Sequence, residues 1–509
     1  MQRSTHFNVI GAAALLSMSA GAHAQIFHRA IGFTTSEGAY SVETCSAATG
    51  GGFITAGRLT PGTTGLRNMY VVRYDPNGND IWTRVISSPN GGDEVATSVR
   101  QTLDGGFIIA GETSAGPQGL DIAMIRLNPA GGLVWARLFA GTAFQDFPSG
   151  VKVREVPDGT FTVVGRTRPG FLMQGRMINV GPGGGPVWAN TYSLIGPPAH
   201  VSFTDVRFVP ANPAGPAGYF VTGWMQEETA TQRSALLLRT DASGNPLGCW
   251  TYSMPNRSLT ADGLTIVGGN IVFSGRISVS PTAAPTNTVI ASVTQAAGNV
   301  NWARTEGDFR NGFAALATDV NTVILAGTIP SSGDIGVVKL NAAGATIFAN
   351  SHDAQGEGHD VVTALGFANG YVVTGVESLA PVNGLQDVSL IRTDVLGDAG
   401  CLVSPIPGPV ATTILRTPRS MTHTANLQNV TMPILITTPN SGNIIKCFEQ
   451  SVGDPPACRA DWNNDGVATS QDFFEFIQAF FAGDADFNAD GDTNTQDFFD
   501  FLAEFFTGC

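Results

Sequence analysis

One phrase constrains this chain more than any other: a short apolar, strand-forming run that ends in glycine and returns seven times. It reads "GGFITAG" from Gly51, "GGFIIAG" from Gly105, "GTFTVVG" from Gly159, "GYFVTG" from Gly218, "GNIVFSG" from Gly269, "NTVILAG" from Asn321 and "NGYVVTG" from Asn369. The closing glycines stand at 57, 111, 165, 223, 275, 327 and 375, separated by 48 to 58 residues. A period of that length belongs to a multi-strand unit that stacks on its neighbours.

A second phrase follows each copy, alternating, turning at a glycine and often reaching tryptophan, as in "MYVVRYDPNGNDIW" and "DIAMIRLNPAGGLVW". A third precedes it, as in "DEVATSVRQTLD". Alternation bounded by Gly, Asn and Asp turns predicts about four strands per unit. The fold class expected is all-β, a seven-bladed β-propeller over residues 25–401, because four short strands repeated radially is how such rings are built. "QIFHRAIG" at Gln25 matches "DIWTRVIS" at Asp80 and "LVWARLFA" at Leu133, so it is expected to supply the outermost strand of the last blade and close the ring. The tryptophans of these phrases (Trp82, Trp135, Trp188 and Trp302) admit two roles, docking of neighbouring blades or sugar binding, and docking is the expected one. More broadly the repeat resembles the delta-60-like and Kelch-like repeats of secreted bacterial propellers.

At 509 residues the chain exceeds ordinary single-domain size, and 62 Gly and 29 Pro agree with many turns. The first 24 residues read as a secretory signal: Arg3, an apolar stretch, then Ala22-His23-Ala24 before Gln25. No later run reaches the ~20 apolar residues of a membrane span. The expected location is therefore outside the cytoplasm, extracellular, periplasmic or at the cell surface. Export permits disulfides. Of the six cysteines, the expected pairs are Cys458–Cys509 and Cys401–Cys447, although six cysteines allow 15 connectivities. Between residues 402 and 457 the period stops and Thr, Pro and Asn dominate, which predicts a connector.

The net charge of −14 is uneven. Residues 458–509 hold eleven Asp or Glu and one Arg, a net of −10, which leaves −4 for the rest. Neither part has the basic face that nucleic acid requires. This acidic end says one sentence twice. Its first copy places Asp461, Asn463, Asp465, Val467, Thr469 and Asp472 at positions 1, 3, 5, 7, 9 and 12 of a loop, with Gly466 at position 6. Its second places Asp486, Asn488, Asp490, Asp492, Asn494 and Asp497 likewise, with Gly491. Oxygen donors at that spacing suit Ca²⁺, which takes six to eight oxygens, and the glycine permits the sharp turn. Position 7 donates its carbonyl, so Val467 and Asp492 can differ. Two Ca²⁺ ions are expected. After each loop, apolar residues at 473, 476, 477 and 480, and at 498, 501, 502 and 505, form a helical stripe. Two such helices can bury their stripes together, with metal and a bracketing disulfide as staples.

On these residues, 458–509 resembles a dockerin, of the type that ends in Gly-Cys as Gly508-Cys509 does here. The resemblance implies a small α-helical, EF-hand-like C-terminal domain that plugs a secreted protein into a cohesin-bearing scaffold or cell-surface assembly. It covers about a tenth of the chain. Positions 10 and 11, which often help choose the cohesin, are Ser470-Gln471 and Thr495-Gln496.

No serine nucleophile elbow, His-x-x-x-His pair or phosphate-binding glycine loop stands out. The recurrent acids before the inner strands (Asp93-Glu94, Asp146, Asp205 and, after His359, Asp360) are expected to cap turns, with a channel-mouth ring for a cation or sugar as the sharper reading. The function expected is a secreted, non-catalytic interaction protein, a propeller surface tethered by its Ca²⁺ module to a cohesin-like or cell-surface partner. The alternative is a carbohydrate-active enzyme, a glycoside hydrolase or lyase acting in polysaccharide degradation, since dockerins often accompany glycosidases.

Overall fold

The closing glycines recur because of what lies opposite them. In the computed structural model each except Gly165, whose partner lies outside the described residues, ends up across from an irregularity in the innermost strand of its sheet. Gly57 pairs with Ala39 where the register slips before Ser41, and Gly223 pairs with Phe203 where it slips before Asp205. A Cβ built on Gly57 would stand 1.8 Å from the carbonyl oxygen of Gly38, and one on Gly223 1.9 Å from that of Ser202. A bulge bends and twists its strand, and the residue beneath it must have no side chain. One glycine per sheet is the result.

The structure describes residues 27–32, 36–61, 65–89, 91–116, 119–139, 152–155, 159–306, 310–319, 321–329, 334–352, 359–367, 371–377, 387–393, 403–405, 410–425, 430–431, 435–437 and 442–447, and nine single positions between 473 and 505. The described fold is all-β in a β-propeller arrangement. Its strands form seven antiparallel sheets. The innermost strands are Ser36–Thr44 (sheet 1), Glu94–Gln101 (sheet 2), Lys152–Glu155 (sheet 3), Ala199–Val209 (sheet 4), Gly263–Val267 with Ser258–Leu259 (sheet 5), Arg310–Asp319 (sheet 6) and His359–Phe367 (sheet 7). Each touches the next, and the last touches the first, so the inner strands close a ring.

The N-terminal strand Phe27–Gly32 pairs antiparallel with Asp387–Thr393 and joins the beginning of the chain to sheet 7, as the repeat predicts. It is the fourth strand of that sheet but not its edge. Residues 403–447, expected as a connector, run around the rim and add a fifth strand to every sheet. Val403–Pro405 pairs with Thr346–His352 of sheet 6, and Val410–Ala411 with Val300–Glu306 of sheet 5. Leu415–Arg419 pairs with Pro246–Ser253 of sheet 4, and Met421–Ala425 with Pro186–Leu194 of sheet 3. Val430–Thr431 then reaches Leu133–Phe139 of sheet 2, Leu435–Thr437 reaches Asp80–Ser87 of sheet 1, and Gly442–Cys447 covers Phe27–Gly32 of sheet 7. The belt travels against the order of the sheets. A four-stranded sheet leaves an edge of unpaired N–H and C=O groups, and short, Pro-containing strands can sit there because the outward side needs no donor.

The core lies between sheets. Ile54, Met69 and Val71 of sheet 1 pack on Ala96, Val99 and Ile109 of sheet 2. Val388 and Leu390 of sheet 7 pack on Ala39, Phe53 and Tyr70 of sheet 1 and seal the ring closure. The tryptophans take the docking role. Trp82 Nε1 donates to the Pro129 carbonyl of the next sheet at 3.2 Å, Trp135 Nε1 to Pro182 at 2.7 Å and Trp302 Nε1 to Ala342 at 2.8 Å. The Trp188 ring comes within 3.1 Å of where a Cβ on Gly244 of sheet 4 would stand.

No helix with bounds is described over 458–509. Residues 473, 474, 476, 477, 480, 498, 501, 502 and 505 are described singly, in helical conformation. Phe476 and Phe501 stack 3.9 Å apart with rings 1° from parallel, Phe473 meets Phe505 at 5.9 Å and Phe480 meets Phe498 at 5.8 Å. Those pairs run in opposite senses along the two copies, so the two stripes face each other.

Candidate functional site

Because each sheet is an antiparallel meander, its turns fall at two ends. The hairpins between second and third strands and the crossings between sheets share one mouth of the ring; the remaining turns share the other. The residue after each closing glycine points the second strand toward the first mouth. Those seven positions are Arg58, Glu112, Arg166, Trp224, Arg276, Thr328 and Val376. The signal stood in the repeat, one place beyond the glycines used to find it.

On sheets 1 to 3 this mouth gathers Tyr40, Arg58, Arg67, Asp93, Glu94, Glu112 and Arg166. Arg58 lies over the Tyr40 ring at 5.8 Å. Burial raises the Tyr40 phenol above its ordinary value, opposed by the charges of Arg58 and Arg67. Asp93 accepts from the Arg67 amide at 2.8 Å and from its guanidinium at 3.1 Å. Burial pushes the Asp93 carboxyl up, but those bonds from Arg67 outweigh it and hold the group below its ordinary value. Burial raises Glu112 against the opposing charges of Arg67 and Arg166. Glu94 is sealed from solvent, accepts from Thr113 Oγ1 at 3.3 Å and is pushed up by burial to about 7.

On sheets 3 to 5 the same mouth gathers Arg166, Arg168, Phe171, His200, Trp224, Arg233, Asp262 and Arg276. Arg276 holds Asp262 through two bonds, at 2.9 and 3.0 Å, and the Asp262 charge raises the guanidinium above its ordinary value. Arg233 lies over the Trp224 ring at 4.0 Å. Burial, with Arg276 nearby, lowers Arg233; burial, with Arg233 nearby, brings Arg166 down to about 10. His200 Nδ1 accepts from the Met173 amide at 3.1 Å, and burial together with Arg168 lowers its pKa.

The expected acids divide. Asp205 accepts from its own neighbour Val206 at 2.8 Å and from the Leu264 amide of the next sheet at 2.9 Å, so it stitches sheets. Asp93 does the same through Arg67. Asp146 lies outside the described residues, as do the side chains of His359 and Asp360. All twelve expected Ca²⁺ ligands also lie outside them: Asp461, Asn463, Asp465, Val467, Thr469, Asp472, Asp486, Asn488, Asp490, Asp492, Asn494 and Asp497. So do Cys401, Cys458 and Cys509, and the side chain of Cys447. Cys45 and Cys249, the two described cysteine side chains, are buried free thiols, each pushed up by burial to about 12. Among the described residues no helix is long and apolar enough to cross a membrane. A groove of about 670 Å³ at the rim, between residues 300–304 and belt residues Thr412–Ile414, is the seam of the belt and not part of the mouth.

No family model matches the chain, and no curated protein matches it. Among solved structures it is similar to the polysaccharide lyase Uly1, at 9% identity and a TM-score of 0.42, covering 67% of this chain and 88% of that one. It is also similar to the hydrazine synthase of Kuenenia stuttgartiensis, at 11% identity and 0.41, covering 70% and 96%. A Bacteroides caccae protein of unknown function matches at 12% identity and 0.34, covering 58% and 93%. Likenesses this distant leave function to be argued from the site itself.

Proposed function

We propose that the protein is a secreted, non-catalytic interaction protein whose ligand face is the mouth formed by the hairpins between second and third strands. The observation that carries this is the Arg233 guanidinium, stacked on Trp224, whose buried Nε has no hydrogen-bond partner among the described residues. A cation held in place, with Asp262 the acid that acts on it already bonded to Arg276, is suited to an external partner. In this reading residues 1–24 direct export. The doubled terminal motif takes two Ca²⁺ ions through its two sets of six loop residues and, dockerin-like, tethers the propeller to a cohesin-like or cell-surface partner. The facing phenylalanine stripes support the module, since each helix needs the other to cover its apolar side.

Titrating Ca²⁺ into the full mature chain tests the tether. Two ions should bind, and Asp472→Asn with Asp497→Asn should abolish both while leaving the propeller's melting unchanged. No uptake at millimolar Ca²⁺, or uptake indifferent to those changes, would remove the tether.

A carbohydrate-active enzyme is the second reading, and Glu112 favours it. Burial raises the pKa of its half-buried carboxyl against the opposing charges of Arg67 and Arg166, and a carboxyl that holds its proton in a cleft is a candidate proton donor. Cleavage of a polysaccharide that disappears in Glu112→Gln would establish that reading in place of the first.

A further inference from the structure

We propose that the part of this mouth built from sheets 3 to 5 is a subsite for a carboxylate-bearing saccharide. The inference rests on the reading of this mouth as the ligand face and names its ligand. Arg233 supplies the first element. Its guanidinium is stacked 4.0 Å from the Trp224 ring, which is buried, so its plane is set before any ligand arrives. Its Nε is shielded from solvent and bonded to nothing described. Asp262, the acid whose charge acts on it, is already taken by two nitrogens of Arg276. A planar guanidinium with its fork free matches a carboxylate in bidentate fashion, and pre-stacking reduces the ordering that binding would otherwise require.

Phe171 supplies the second element. It is 69% exposed, yet its hairpin is tied down: Arg168 Nε donates to the Phe171 carbonyl at 3.2 Å, and the Met173 amide donates to His200. The Phe171 ring centre lies 6.0 Å from the His200 ring. An exposed aromatic ring on a fixed hairpin is a platform for the apolar face of a pyranose. His200 is the third element. Since its Nδ1 accepts a hydrogen bond, the ring proton sits on Nε2, and the lowered pKa keeps the ring neutral at pH 7. Nε2–H is then a donor for a sugar hydroxyl. The three groups share one neighbourhood: His200 lies on the strand paired with that of Trp224, two residues from Ser202 opposite it, and Phe171 lies 6.0 Å from His200. A cation, a flat apolar ring and a neutral donor select a uronic acid over a neutral sugar or a bare anion.

Calorimetry on the full chain with tetragalacturonate, neutral galactotetraose and sodium sulfate as probes tests this. Tetragalacturonate should bind, weaken with salt, and lose about tenfold or more in affinity in Arg233→Ala; Phe171→Ala should weaken it as well. Melting curves of both variants should stay within about 3 °C of the parent. Galactotetraose bound as tightly as tetragalacturonate, lost in Phe171→Ala but indifferent to Arg233→Ala, would overturn the acidic preference and keep the mouth as ligand face. Tetragalacturonate bound equally by parent and both variants would overturn the subsite and the ligand face together. Sulfate competing at equal affinity, or no binding of any probe at millimolar concentration, would overturn the subsite alone.

Discussion

The two mouths of the ring carry the same residue type to different ends. At the mouth opposite the proposed ligand face, arginines recur near the end of the third strand and are consumed by the backbone. Arg73 donates to the Phe53 carbonyl at 3.2 Å and to those of Tyr74 and Gly51. Arg126 reaches the carbonyls of Phe107 at 3.1 Å and Leu127 at 2.5 Å, and the Asp104 carboxylate. Arg239 reaches the Ala214 carbonyl at 2.7 Å, and Arg392 of sheet 7 reaches Pro76 of sheet 1 at 2.5 Å. Each of these guanidiniums closes a hairpin or ties one sheet to the next. At the ligand-face mouth, Arg58 lies over Tyr40 and Arg233 over Trp224, and Arg67 and Arg276 take carboxylates. Where arginine satisfies carbonyls it holds the ring together; Arg233, stacked on Trp224, makes no such carbonyl bond among the described residues.

That contrast can be broken in graded steps. The largest effect should come from Gly223→Ala, which stands between the mouths: its methyl would overlap the Ser202 carbonyl, and relieving the clash should cost about 3 kcal/mol, read as a lower denaturation midpoint. Retention of parental stability would mean that the bulge is not what the glycine serves. Next, Arg126→Ala should cost about 2 kcal/mol, because it strips partners from buried carbonyls, whereas Arg233→Ala should cost under about 1 kcal/mol. Equal losses in chemical denaturation would erase the distinction between the mouths. The last effect is a slope in pH and concerns Glu94. Its folded-state pKa lies near 7, above the 4.5 of an ordinary glutamate, so the folded state holds its proton more tightly than the unfolded chain. Stability should therefore fall as pH rises from about 4.5 to 7 and level off above. Glu94→Gln should remove that slope, and melting curves across the window would show whether it does.

Most of the ring was legible before any coordinates. The strands, their seven repetitions and the closing role of Phe27–Gly32 follow from alternation and turn chemistry, which are local. Sheet docking by Trp82 and Trp135 was also readable, since they recur at one place in the period. The candidate site was only half legible. The acids before the inner strands stood out, yet Asp93 and Asp205 are sheet stitches. Arg58, Arg166 and Arg276 share one repeat position with Glu112 and Trp224, one place beyond the closing glycine, and a search for the apolar phrase stops short of it.

The sequence by itself determined that this protein would be an all-β ring of repeated meanders with a doubled acidic and aromatic ending, because period, alternation and glycine position act within one unit. Only the tertiary structure decided that 403–447 would girdle the ring. Its strands run from two to six residues and carry no period, and they form because each sheet offers an open edge. Tertiary structure alone also separated Arg126 from Arg233: both end as guanidinium groups, and only the atoms around each decide whether its hydrogen bonds are already spent.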